Sequence, residues 1–383
     1  MPNRREFLKT VAGTAVGTAA GALISTSAFA DARLAGTGRA AAALRFPQGQ
    51  AAAPTGPVKR REVSVAGKRV KVVDVHSHCT IPEVADVVAG TALARNTRGG
   101  GGGGGQVLGP DRLRALDERG IDVQVLDING FWWYAADRDL ASKIVDLHNE
   151  KMAAWCNAHS DRFVALTSVA LQFPDLAAQQ LEHAVKQLGM RGAAIGGHVA
   201  GEPLSSPKFD PFWAKAEELG VLVFEHPGGA QNVLKEDGLK GAGDLGNIIG
   251  DPLETTVFFS HLIFDGTFDK FPGLKICGAH AGGYLPSYLG RTEVACDVRA
   301  NAKCVNKKKP SDYMKKNLMA DAMIFSSEGV RHMVAEMGAS QVVYGTDIPF
   351  NWPDGVDFIV NANITNAEKE MVLGGNLVKL LKI

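Results

Sequence analysis

Two histidines separated by a single residue are the first feature of this sequence that could do chemistry. His76 and His78 follow a short apolar run that begins at Val72. In a β-strand, residues i and i+2 point to the same face, so the two imidazoles would project together. Neutral imidazoles side by side suit a divalent ion such as zinc or manganese. The spacing therefore predicts a metal site, provided that this run forms a strand.

Three more polar side chains end apolar runs elsewhere in the chain. His226 follows residues 221–225, His280 follows residues 274–279, and Asp347 follows residues 342–346. Taken singly, each could be a packed histidine or an aspartate that caps the next helix. Their shared position at the ends of runs indicates instead that they meet the histidine pair at one edge of a sheet. Histidines and one carboxylate together suit a divalent ion and leave it a net positive charge.

The elements that must position these residues are short β-rich runs that alternate with helical stretches from residue 68 onward. This alternation is typical of βα units around a parallel sheet. Eight such units predict an α/β fold, a (β/α)8 TIM barrel, whose site lies at the carboxyl ends of the strands. A doubly wound sheet is the competing fold, but it normally has a glycine-rich phosphate turn after its first strand, and this sequence has none there. The eight runs are residues 69–76, 121–128, 163–171, 192–199, 220–227, 274–281, 317–322 and 341–347.

The composition excludes several classes of protein and of partner. The chain has 383 residues, of which 45% are hydrophobic and 21% charged, as expected of a globular enzyme rather than a disordered chain. Lys and Arg total 41 and Asp and Glu total 41, so no net field favours nucleic acid or an acidic membrane. The five cysteines include no C-x-x-C pair, so they indicate neither a full disulfide framework nor a thiolate metal site.

The first thirty residues have the pattern of an export signal. Arg4 and Arg5 are followed by a weakly apolar stretch over residues 11–24 and by Ala28-Phe29-Ala30, an A-x-A cleavage pattern. This resembles a twin-arginine signal, which directs folded proteins out of the bacterial cytoplasm. We expect a signal peptide over residues 1–30, a linker or arm over 31–67 and a catalytic domain over 68–383, with the mature protein periplasmic and free of the membrane. An uncleaved anchor or a chance arginine pair is the alternative.

These residues and their surroundings resemble the amidohydrolase superfamily. Within it, the sequence is most similar to the branch of aminocarboxymuconate-semialdehyde decarboxylase and related non-oxidative decarboxylases. The resemblance extends from about residue 70 to residue 383. It is carried by residues 116–126 (LDERGIDVQVL), 271–276 (FPGLKI), 279–283 (AHAGG) and 343–350 (VYGTDIPF).

The resemblance implies a role for each residue of the predicted site. Members of this branch usually hold one zinc or manganese ion, and His76, His78, His226 and Asp347 match its ligands. His280 matches a histidine beside the metal-bound water that acts as general acid and base, with Asp347 as the second catalytic residue. Arg291 matches an arginine that binds the substrate carboxylate from the neighbouring subunit, which implies a homodimer.

Other residues could complete a substrate pocket. A second substrate arginine of the family lies in the loop after the first strand, where Arg95 or Arg98 could serve beside the glycines of residues 99–105, a surface loop or a flap. Trp132, in the aromatic run of residues 131–134, could stack on a planar substrate or simply pack, and His198 is a second pocket candidate. Glu225 should face outward toward the helices by strand alternation.

The resemblance and the site chemistry favour one activity and leave two alternatives. The favoured one is metal-dependent, non-oxidative decarboxylation of a small aromatic or muconate-type carboxylic acid. The same ion and base could instead drive a hydrolase or hydratase that acts on a lactone, an amide or an unsaturated acid. The third is an exported barrel that binds a metal or a ligand without catalysis.

Overall fold

Eight short parallel strands lie within the eight predicted runs. The computed structural model describes residues 58–98, 107–128, 130, 132–235, 238–299 and 301–383, so the predicted signal, most of the arm and the glycine run lie outside the described residues. The strands are β1 (Val73–Asp74), β2 (Val123–Leu126), β3 (Phe163–Ala165), β4 (Gly192–Ile195), β5 (Leu222–Glu225), β6 (Lys275–Gly278), β7 (Leu318–Asp321) and β8 (Val342–Val343).

The strands pair in chain order. β1, β2 and β3 form one parallel sheet, and β4 to β8 form another, with Val223 opposite Ile276 where β5 pairs with β6. Isolated parallel bridges join Thr167 to Ala193, between the ends of β3 and β4, and Ser77 to Ile348, beyond β1 and β8. Two antiparallel hairpins lie outside these sheets, Ser64–Val65 with Lys68–Arg69 and His198–Val199 with Glu202–Pro203. The α/β class with parallel sheets is therefore confirmed.

The strands end earlier than the sequence runs suggest. β6 stops at Gly278, two residues before His280, and β8 stops at Val343, four residues before Asp347. Both polar residues adopt the left-handed region, with φ of 52° at His280 and 61° at Asp347. Residues other than glycine rarely adopt such φ values, and backbone strain of this kind is concentrated at functional sites. The backbone thus leaves the strand geometry where it places these side chains.

Helices follow most strands, and local sequence explains their limits. Proline occupies the first turn of the helices that begin at Pro110, Pro174 and Asp210, where its missing N–H costs nothing. Gly220 ends the third of these in the left-handed conformation, with φ of 62°. No helix within the described ranges is long and apolar enough to cross a membrane. The helices are α1 (Val84–Val87), α2 (Arg95–Arg98), α3 (Pro110–Arg119), α4 (Arg138–Ala158), α5 (Pro174–Gln187), α6 (Asp210–Leu219), α7 (Asp251–Phe264), α8 (Thr267–Lys270), α9 (Leu285–Val298), α10 (Pro310–Met314), α11 (Ser327–Met337), α12 (Gly355–Val360), α13 (Asn366–Glu370) and α14 (Asn376–Leu381).

The core has two layers, divided by the strands. Phe224, Cys277 and Met319 belong to one apolar cluster, whereas Val223 and Ile276 belong to the other. Because successive strand residues point to opposite faces, each strand contributes to both layers. This burial on both faces is typical of parallel sheets covered by helices, and it holds the strand ends in fixed positions.

Candidate active site

The polar strand ends meet in one place. Nitrogen or oxygen atoms of His76, His226, His280 and Asp347 all lie within 4.8 Å of one another. His78 is adjacent, with its Nε2 2.7 Å from Asp347 Oδ1 and its ring centroid 4.8 Å from that of His226. The structure therefore brings together all five residues that the strand-end pattern selected.

Hydrogen bonds orient two of the imidazoles toward the centre of this group. The Nδ1 of His76 donates to Asp321 Oδ2 at 2.7 Å, and the Nδ1 of His226 donates to the carbonyl of Pro227 at 2.7 Å. Each ring thereby leaves its Nε2 to interact with other members of the group, and for His76 this atom lies 3.2 Å from Asp347 Oδ1. Nδ1 of His280 is buried and has no hydrogen-bond partner among the described residues. Buried ring nitrogens of this kind need a partner such as an ion or water.

Asp321, at the end of β7, is a site residue that the sequence reasoning missed. Besides the Nδ1 of His76, its carboxylate accepts the backbone N–H groups of His280 at 3.1 Å and Ala281 at 2.9 Å. Burial alone would raise the pKa of Asp321, but the bond to His76 outweighs this and holds it below its usual value. Its position at the end of the predicted run 317–322 was the available signal. Asp321 fixes both a candidate ligand and the candidate acid–base residue.

The charges of the site favour a cation. Burial alone would lower the pKa of His76, but the carboxylates of Asp347 and Asp321 raise it well above its usual value. Burial likewise opposes ionisation of Asp347, yet His76 and His78 hold the pKa of Asp347 well below its usual value. Two ionised carboxylates this deeply buried attract positive charge, which a proton on His76, or a divalent ion in its place, would supply.

Two other imidazoles of the group, those of His226 and His280, favour the neutral form. Burial, reinforced by the neighbouring histidines, lowers the pKa of His226 well below its usual value. Burial and His76 lower the pKa of His280 to about 4. Neutral imidazoles with free lone pairs, beside one carboxylate, are a donor set for a first-row divalent ion. The residues present therefore fit such an ion.

A glycine allows the strands to approach closely beneath the site. A Cβ atom at Gly345 would lie 2.9 Å from the Cβ of His76 and 3.0 Å from the Cβ of Asp321. Any larger residue would force His76 or Asp321 to move. The sequence Tyr344-Gly345-Thr346 is therefore part of the site, because it sets the distance between β8 and the first strand.

A cavity of about 420 Å³ opens beside the clustered residues. One wall is aromatic, with Phe350 against the edge of the His78 ring and the indole of Trp352 donating to Asp347 Oδ2 at 2.9 Å. Such walls accept a planar ring, whereas the histidines at the base suit a polar group. Its lining residues are His78, His226, Asp244, Asn247, Asp251, His280, Asp347, Phe350, Asn351 and Trp352.

Three other predicted pocket residues, Trp132, His198 and Arg291, lie outside this lining. The indole of Trp132 packs against Gly196, where a Cβ atom would come within 2.9 Å of it. His198 is half-buried in the small hairpin, and its Nδ1 accepts the Gly201 N–H at 2.9 Å. Arg291 is exposed on α9. Arg98 ends α2, but its side chain lies outside the part of the chain that the structure describes.

Glu225 is oriented as strand alternation predicts, toward the helix that follows. Its Oε1 accepts the hydroxyl of Thr255, on α7, at 3.4 Å. Burial and the carboxylate of Glu254, also on α7, raise the pKa of Glu225 well above its usual value. Its partners are thus a hydroxyl and a second acid, and no cation balances the pair among the described contacts.

The chain is similar to several known proteins. A family model described as Amidohydrolase matches residues 73–383. The 2-amino-3-carboxymuconate-6-semialdehyde decarboxylase of Dictyostelium discoideum is 31% identical over 282 residues, which are 71% of this chain and 76% of that protein. The gamma-resorcylate decarboxylase of Polaromonas sp. (strain JS666) is 30% identical over 285 residues, which are 71% of this chain and 86% of that protein.

A solved structure extends the likeness to three dimensions. The dihydroxybenzoic acid decarboxylase from Polaromonas sp. JS666, crystallised with bound manganese and the inhibitor 2-nitroresorcinol, superposes with a TM-score of 0.69. It is 25% identical, and the match covers 82% of this chain and 97% of that one. The family match over residues 73–383 includes the strands that carry the clustered residues.

Proposed function

The chain belongs to the amidohydrolase family, and from this membership and the site geometry we propose that it is a metal-dependent, non-oxidative decarboxylase of an aromatic or muconate-type carboxylic acid on a (β/α)8 barrel. The observation that most directly supports this proposal is the cluster of His76, His226, His280 and Asp347 at the base of a cavity with an aromatic wall. The relatives that match most of the chain are themselves decarboxylases.

His76, His78, His226 and Asp347 are the residues that would hold the ion, either zinc or manganese. When bound, a divalent ion supplies positive charge that fixes and polarises a carboxylate or an adjacent oxygen of the substrate. Asp321 contributes by locking the tautomer of His76 through their 2.7 Å bond. The manganese in the Polaromonas structure supports a divalent ion of this type.

His280 is the residue we assign to proton transfer. Loss of carbon dioxide from an sp2 carbon requires a proton at that carbon, after which the carbon–carbon bond breaks and its electron pair returns to the conjugated system. The neutral imidazole of His280 can take a proton from a substrate hydroxyl or from water and deliver it to that carbon, because its Nδ1 has no partner among the described residues and Asp321 fixes its backbone. Asp347 assists by holding negative charge beside the imidazoles.

The first test of this proposal is release of carbon dioxide. We expect the full chain, loaded with manganese or zinc, to convert a hydroxybenzoate or a muconate-type acid to the decarboxylated product with one carbon dioxide per substrate consumed. Gas release and product mass would be measured together. Addition or cleavage by water without carbon dioxide would identify a hydratase or hydrolase instead. Absence of turnover with every carboxylated compound would favour a binding protein.

We also propose that the active enzyme is a homodimer. Arg291 shares α9 with three exposed apolar residues, Tyr288, Val294 and Val298, whose exposed fractions are 62%, 47% and 68%. Such a patch on one helix is typical of a contact with another chain. A second copy seated there would carry its own Arg291 toward the first, and a guanidinium is well suited to hold a substrate carboxylate.

Export to the periplasm is the third part of the proposal. Cys296, in the last turn of α9, and Cys304, eight residues later in the following loop, form a disulfide. Disulfides persist in oxidising compartments. We expect thiol titration of the unfolded mature protein from the periplasm to find three free cysteines, and five after reduction. Removal of residues 1–30 should keep the activity and retain the protein in the cytoplasm. Periplasmic protein with five free thiols would contradict the role of the disulfide.

A further inference from the structure

One wall of the cavity beside the candidate metal site is acidic. Asp251, the first residue of α7, lines this cavity together with Asp244 and with His280 and Asp347. The two wall aspartates are separate from the four residues whose ligand atoms cluster. Neither the metal site nor the proton transfer described above uses them.

This acidic wall is held by local hydrogen bonds. Asn247 donates its backbone N–H to the carbonyl of Asp244 at 3.0 Å and its side-chain amide to Asp251 Oδ2 at 3.3 Å. Asn247 also lines the cavity. The segment Gly246–Gly250, which forms one π-helical turn, leads directly into α7 and places Asp251 at the cavity. Asp251 is therefore fixed between Asn247 and the residues at the base.

The charge of this wall limits what can bind opposite it. Burial, with the carboxylates of Asp347 and Asp244, raises the pKa of Asp251 to about 7, because several acidic groups already lie close together in this part of the cavity. The ion and its ligands would take one substrate carboxylate. A second carboxylate directed at Asp251 and Asp244 would be repelled, whereas a hydroxyl or amino group could donate a hydrogen bond to them.

We propose that Asp251 is a specificity-determining residue, which accepts a hydrogen bond from a donor group on the substrate ring and excludes substrates with a second carboxylate. This inference rests on the proposed function and narrows it to monocarboxylic acids that carry a hydroxyl or amino group. Asp244 reinforces the exclusion by its charge. Phe350 and Trp352 hold the ring on the aromatic wall.

The test compares matched ligands on the manganese-loaded full chain. Titration calorimetry would measure the Kd of 2-, 3- and 4-hydroxybenzoate. For each of these it would also measure the Kd of the analogue with a methoxy group, and of the analogue with a second carboxylate, in place of the hydroxyl. Carbon dioxide release would be followed in parallel. We expect the best hydroxybenzoate to bind at least about 10-fold more tightly than both counterparts, as for a site that pairs a substrate hydroxyl. In Asp251→Asn the Kd of the dicarboxylate should be no more than about 3-fold higher than that of the hydroxybenzoate. The manganese content should be unchanged.

Two further variants keep the test decisive. Asp244→Asn changes an exposed residue and should lower the same preference by a smaller factor even if Asp251→Asn fails to fold. Asp161→Asn, an exposed aspartate in another part of the chain, should keep the wild-type ratios. A purely structural role of Asp251 would change stability and kcat without changing the ratio of the two ligand affinities.

The outcomes separate this inference from the proposed function. If the affinity ratios depend on Asp251 but the protein releases no carbon dioxide, the inference would be supported and the proposed decarboxylase activity would be overturned. Carbon dioxide release with ratios that are the same in wild type and both wall variants would overturn the inference and leave the decarboxylase standing. Equal binding of all ligands by the wild type, or no binding at all, would also overturn the inference.

Discussion

Replacing His280 with asparagine is expected to lower kcat for carbon dioxide release by about 10³-fold, because a positioned general acid contributes roughly 10²- to 10⁴-fold. Asparagine keeps a polar group but cannot carry the proton. The backbone N–H of His280 bonds to Asp321, so the loop should stay in place. Single-turnover carbon dioxide release and elemental analysis of the same sample would measure activity and metal together.

The structure makes the metal content of this variant informative. The ligand atom of His280 belongs to the same close group as those of His76, His226 and Asp347, so this residue could itself bind the ion. Loss of metal along with activity would therefore make His280 a ligand rather than the proton donor. Near wild-type turnover would remove it from both roles. His183→Asn, an exposed histidine on α5, is the matched control and should behave as wild type.

The same variant tests whether Arg291 acts from the partner subunit. Arg291→Ala should be nearly inactive if this guanidinium binds the substrate carboxylate. A heterodimer of His280→Asn with Arg291→Ala would contain one site with both residues intact, so mixed samples should regain up to half of the wild-type activity per heterodimer. No recovery would show that the arginine acts within its own chain, whereas a fully active Arg291→Ala would show that it has no part in catalysis.

The sequence was sufficient to predict the base of the site but not its walls. His76, His226, His280 and Asp347 each end an apolar run, and parallel strands present their carboxyl ends at one edge. The positions of the runs therefore predict that these residues meet, although β6 and β8 stop before His280 and Asp347. The comparisons confirm the resemblance to the amidohydrolase superfamily. Asp251, by contrast, precedes Pro252 and has the sequence pattern of a helix start. Its place at the cavity depends on how the preceding segment folds, which no local pattern specifies.

Side-chain hydrogen bonds and the disulfide could not be predicted from local sequence patterns either. Asp321 lies inside a run that the sequence predicts as a strand, and only its bond to His76, 245 residues away, makes it part of the site. Cys296 and Cys304 match no metal or redox motif, and they form a bridge because α9 ends beside the next loop. Such pairings depend on tertiary packing, so they require the structure.

Loss of the Asp347 carboxylate is expected to remove metal binding more completely than loss of the Asp321 carboxylate. Asp347→Asn takes a charged oxygen out of the ligand group itself, whereas Asp321→Asn only weakens the hold on His76 and should lower affinity about 10- to 100-fold. Competition with a fluorescent chelator would give both affinities.

Thermal unfolding would test the same order independently. At free manganese equal to about 100 times the wild-type Kd, bound metal stabilises wild type by about 2.7 kcal/mol. A 100-fold loss of affinity in Asp321→Asn would reduce this gain to about 0.4 kcal/mol, and Asp347→Asn should gain essentially nothing. Asp161→Asn should match wild type. If Asp347→Asn kept a metal-dependent rise in Tm while Asp321→Asn lost it, the ion would be held by Asp321 and the assignment of the ligands would be wrong.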